Sequence, residues 1–151
     1  MGGFATSVHV MPAEAADPKA IIRTVTSALE TAMASEGFRP AVSGETPDRG
    51  IVVMQTSRAP RWVAIFDQHA ESQDDTNEAL ARALSASLNA PAVTMLVHDG
   101  DLGEIQLFTS GQLRDKFSTS PDYFRPVTAA EMRAWRGDPS KWSTEGSLPI
   151  E

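Results

Sequence analysis

"AVTMLVHDGDLGEIQLFTSGQLRDKF", residues 92–117, decides how the rest of the chain is read. Its first seven residues are apolar at nearly every position and suit a pleated, buried strand. Asp99-Gly100 follows, the residue pair that favours a type I′ turn because both positions need positive φ. "DLGEIQLFT" then returns as a strand, with Ile105 and Leu107 on one face and Gln106 and Phe108 on the other. Ser110-Gly111 supplies a second tight turn, and "QLRDKF" completes a three-stranded meander. Asp99, Asp101 and Glu104 crowd the first turn, which raises the question of a cation loop. A calcium loop of the EF-hand type needs acids at alternate positions and a Glu at the twelfth. Counted from Asp99, the fifth position is Gly103 and the twelfth is Ser110. The stretch therefore reads as a hairpin with no metal site, and Gly103 as the mark of a β-bulge.

Working upstream, "SVHVM" (7–11) reads as a short strand. Asp17 and Pro18 then open a helix as N-cap and first helical residue, and Gly37 stops it. Ile21, Ile22, Val25, Leu29, Ala32 and Met33 give it one apolar face. "FRPAV" (38–42) is expected as an edge strand, since Pro40 cannot donate to a central ladder. "IVVMQTS" (51–57) and "RWVAIFD" (61–67) read as a hairpin joined around "RAP". "TNEALARALSASL" (76–88) reads as a second helix with Ala79, Leu80, Ala83, Leu84 and Leu88 as its buried stripe. Downstream, Thr128 and Glu131 stand at capping-box spacing and open a third helix that ends at Gly137.

The order strand, helix, strand, strand occurs twice, over residues 7–56 and 61–109. The expected fold is α+β: a mixed or mainly antiparallel sheet from two such units, two helices on one face, and a third helix near the C-terminus. Residues 1–137 form one domain, and 138–151 a tail packed on it or extending from it. This order of elements resembles the gyrase-inhibitor-like and SOUL haem-binding groups. The likeness is one of architecture, with none of their motifs present, so it implies a fold and not a function.

The chain has 151 residues, no cysteine and a net charge of −7. The missing thiols exclude disulfides, thiolate metal sites and cysteine nucleophiles. Nucleic-acid binding needs a basic face, and the 13 Lys and Arg are scattered in an acidic chain. The N-terminal stretch lacks the basic and apolar regions of a signal peptide, and no window approaches a membrane span. A cytoplasmic protein is expected, without nucleic-acid or membrane partners and without a cofactor. Neither a phosphate loop, a dinucleotide fingerprint nor a G-x-S-x-G elbow is present.

Three histidines occur, His9, His69 and His98, with no zinc-binding spacing among them. If residues 61–67 and 92–98 are neighbouring strands, Asp67 and His98 meet at one end of the sheet as a base and its orienting carboxylate. That is the basis of a hydrolase-like alternative, with Asp101 or Glu104 assisting. The principal expectation is a non-catalytic binding or regulatory module. "RWVAIFD" and "AVTMLVH" are apolar on both faces, so both faces of the sheet need cover. Two helices cover one. The other is left to the third helix and the Trp135–Trp142 segment, to a second copy in a homodimer, or to a ligand. The expected working surface is an apolar groove at the edge of that cover, near Trp62 or Phe108, with Asp67, His98, Trp135 and Trp142 as further binding residues for a protein partner or a small apolar ligand.

Overall fold

The computed structural model describes residues 4–12, 17–55, 61–71 and 74–145. Strands β1 (Phe4–Val10), β2 (Ile51–Gln55), β3 (Val63–Asp67), β4 (Ala92–His98), β5 (Leu102–Thr109) and β6 (Gln112–Ser118) form one sheet in the order β2-β3-β1-β4-β5-β6. Every neighbouring pair is antiparallel. Helices α1 (Pro18–Ser35) and α2 (Asp74–Ser87) enclose the core against one face. Two short helices, α3 (Ala129–Ala134) and α4 (Pro139–Glu145), come after β6. The fold is α+β, and the expected duplication holds in part: β3-α2-β4-β5 runs strand, helix, strand, strand, whereas β1-α1-β2 lacks one strand. Among the described residues no helix is long and apolar enough to cross a membrane.

Local chemistry accounts for the elements. Asp17 caps α1 by accepting from the Lys19 N–H at 3.0 Å. At its other end Gly37 takes φ +88°, the Phe38 N–H reaches the Met33 carbonyl and the Gly37 N–H that of Ala34. These are the two bonds of a Schellman ending, and Phe38 tucks against the core as its apolar partner. Asp99 and Gly100 (φ 55° and 80°) and Ser110 and Gly111 (φ 49° and 76°) close the two turns of the meander.

Three details differ from the sequence reading. Residues 38–42 form no strand. Arg39 instead binds Glu45 through two hydrogen bonds of 2.9 and 2.8 Å, and the Val42 N–H donates to the same carboxylate, which curls the segment into a loop. The first unit is thus strand, helix, strand. The buried stripe of α2 is Asn77, Leu80, Ala81, Leu84 and Ser85, while Ala79 and Ala83 face solvent. Alanine fits either face, and Ser85 enters the core because its hydroxyl donates to the Arg82 carbonyl and accepts the Gly111 N–H at 3.0 Å. The register shift of the meander falls at Leu107/Phe108 against β6, not at Gly103. Leu107 pairs with Asp115 and Phe108 with Leu113, so Arg114 is the extra residue. The bulge turns Leu113 toward the helix side and Asp115 and Phe117 toward the opposite face. The "RAP" connection and the tail beyond residue 145 lie outside the described residues.

Candidate functional site: an apolar groove under the C-terminal segment

The helix-covered face is a closed core: Val8, Val10, Val63, Ile65, Ala92 and Phe108 are 0% exposed beneath Leu84 and Val25. Strand alternation sends the intervening residues to the other face. The strand registers align Met54, Ala64, His9, Val93, Leu107 and Asp115 in one row across all six strands. A second row runs from Ser7 through Met95 and Ile105 to Phe117. This face stays substantially open. Val52, Met54, Phe66, Met95, Val97 and Phe117 are between 39% and 57% exposed, an apolar patch of the kind that marks a binding surface.

The chain after β6 folds back over part of it. The α3 capping box is complete, with Thr128 and Glu131 satisfying each other's backbone N–H groups. The Arg125 guanidinium beside Glu131 and its bonds to Thr128 hold that carboxyl down at about 2. Beyond α3 the Ser118 N–H donates to the Trp135 carbonyl at 3.0 Å, and Arg136 forms a β-bridge with Phe117. Gly137 then turns the chain at φ +69°. A Cβ there would stand 3.2 Å from Phe117 Cβ, so the turn needs glycine for its conformation and for the close approach. Asp115, buried on the sheet, fastens the start of α4. Its Oδ2 accepts the Asp138 N–H and the Trp142 indole N–H, both at 2.6 Å, and Lys141 Nζ lies 3.6 Å from Oδ1.

Between this clamped segment and the sheet lies a groove of about 680 Å³. Its floor is Met54, Ala64, His9, Val93, Met95 and Ile105; Trp62, Phe117 and Trp142 wall it, and Arg136 and Asp138 stand at the rim. The volume and the apolar lining with few polar groups are those of small-molecule sites. His9 is the polar residue of the floor. Its Nε2 lies 2.9 Å from the Ser7 hydroxyl, and burial lowers its pKa, so the imidazole is neutral at neutral pH. A serine beside a histidine invites a hydrolytic reading, which needs a carboxylate on the other ring nitrogen. The acid of the same row, Asp115, is three strands away, about 14 Å by strand spacing.

The residues singled out in the sequence fall in different places. Trp62 and Trp142 line the groove. Trp135 lies at the β6 edge with Lys116 Nζ 4.2 Å from its ring centre. Phe108 is buried on the opposite face, with the Arg82 guanidinium over its ring at 5.1 Å. Strands β3 and β4 are not neighbours, because β1 runs between them, so the condition for an Asp67–His98 pair is not met. Asp67 is instead paired with Arg49 and accepts the His69 N–H at 3.0 Å. That guanidinium also reaches Glu36 at 3.2 Å and lies over the Phe38 ring at 4.9 Å. Its pKa is raised chiefly by the hydrogen bonds to Asp67. His98 lies edge-on to the rings of Tyr123 and Phe124, 5.4 and 5.5 Å away. Ser7, His9, Met54, Met95, Asp115 and Arg136 escaped the sequence reading. For the five strand residues the signal was strand parity, which needs the register before it assigns a face; Arg136 lies outside the strands and is placed by its bridge to Phe117. No protein-family model, curated protein or solved structure matches the chain.

Proposed function

We propose that this protein is a binding module that takes a small apolar ligand into the groove between α4 and the open sheet face. The observation that carries the reading is the asymmetry of cover. Six strands present an apolar face, and among the described residues the chain shields only the part beneath the segment that Asp115 clamps. A protein partner resting on the flatter patch of Val52, Phe66 and Val97 is the other occupant this face suits. The clamped segment favours the smaller ligand, because it makes a trough of ligand size where a flat protein interface needs none.

The test is titration with N-phenyl-1-naphthylamine, a neutral fluorescent probe of apolar sites. The wild-type chain should bind it saturably. Met95→Glu, which puts a charge on the groove floor, should abolish binding without altering the melting temperature. Val97→Glu, outside the groove on the same face, should leave it intact. If Met95→Glu binds the probe as the wild type does, the groove is not the binding site.

A further inference from the structure

We infer that the ligand is an elongated amphiphile, its apolar body lying across the strands and an anionic head group held by Arg136. This rests on the binding reading above and adds the chemistry of the ligand. The groove touches residues of all six strands, from Met54 on β2 to Phe117 on β6. Five inter-strand spacings make that path about 24 Å long. A trough of this length and about 680 Å³ suits a long, narrow molecule better than a compact one.

The head group is assigned by the charges at the rim. Asp138 is committed: its Oδ1 accepts the Ser140 N–H at 3.1 Å and the Ser140 hydroxyl at 2.6 Å. Lys141 is drawn to Asp115. Arg136 makes no ion pair with any described residue. Its backbone is nevertheless fixed, by the bridge to Phe117 on one side and the Gly137 turn on the other. A guanidinium so placed beside an apolar trough offers a two-pronged site for a carboxylate. The net charge of −7 repels anions from the molecule as a whole, so a preference for an acid over its alcohol must be local.

Dodecanoate and dodecanol, both kept below the concentrations at which they aggregate, are compared as displacers of N-phenyl-1-naphthylamine. The ratio of their affinities is measured in the wild type, Arg136→Lys and Arg136→Gln. The ratio should fall about fivefold in Arg136→Gln, the upper range for a solvent-facing ion pair, and by less in Arg136→Lys, which keeps the charge and loses the two-pronged contact. An unchanged ratio in Arg136→Gln, with both compounds still displacing the probe, overturns the head-group assignment and leaves the groove reading standing. If neither compound displaces a probe that does bind, the elongated-amphiphile inference falls. If the probe itself does not bind, the groove reading falls first.

Discussion

The two faces of the sheet are made by the same strands and have opposite fates. On one, α1 and α2 bring enough apolar side chains to exclude solvent from Val8, Val63, Ile65 and Phe108. On the other, α3 and α4 bring mainly Pro139 and Trp142, held by the hydrogen bonds to Asp115 and by the backbone bridge of Trp135 and Arg136 to β6. The first cover is held by packed area, which scales with every buried methylene. The second is held by a few directional bonds, worth about 1 kcal/mol each. A face closed by area is a core. One closed at a few points leaves room beside them, and here that room is the groove.

The sharpest break of this comparison is at the closed face. Phe108→Ala should cost about 3–5 kcal/mol in urea melts, the cavity value for a buried phenylalanine. Met95→Ala on the open face should change stability by no more than about 1 kcal/mol. Equal costs would mean the second face is packed as tightly as the first. Arg49→Met should be nearly as damaging, about 3–5 kcal/mol, since Asp67 beneath it has a fully buried side chain. A neutral result would show that water reaches that carboxylate.

Next in size is the clamp. Asp115→Leu deprives the Asp138 and Trp142 N–H groups of their acceptor, at a cost of about 1–3 kcal/mol. In fluorotryptophan NMR the Trp142 resonance should shift toward its unfolded position while Trp62 keeps its dispersion. Should Trp142 stay in place, packing holds the cover and the carboxylate is incidental. The smallest effect is that of His9. Burial places its folded pKa below the ordinary 6.5, so the unfolded chain takes up the proton first. Stability is full above about 6.5 and declines as the pH falls through the window down to the folded pKa. An imidazole NMR titration with a midpoint at or above 6.5 would mean that the floor of the groove is wet.

The meander of residues 92–118 and helix α1 were legible because their signals are local. Asp99-Gly100 and Ser110-Gly111 need positive φ wherever they fold, and the Asp17-Pro18 start and Gly37 stop of α1 work through bonds within a few residues. The groove was half legible. That a second apolar face needs cover follows from the continuous apolar runs 61–67 and 92–98, and Trp62 and Trp142 do lie there. Phe108 was assignable by alternation to the face opposite Ile105 and Leu107. Which of the two faces was the open one depended on where α1 and α2 settle.

By itself, then, the sequence determined most of the elements, their antiparallel turns and the surplus of apolar surface, because each arises from backbone conformation and side-chain period over a few residues; the loop at 38–42 and helix α4 were not among them. Tertiary structure alone decided that β1 would separate β3 from β4 and keep Asp67 from His98. It also decided that the extra residue at Arg114 would turn Asp115 inward to catch Trp142, and that His9 and Arg136 would share a groove. Those are relations between residues up to 127 positions apart in the chain, and only strand order and register bring them together.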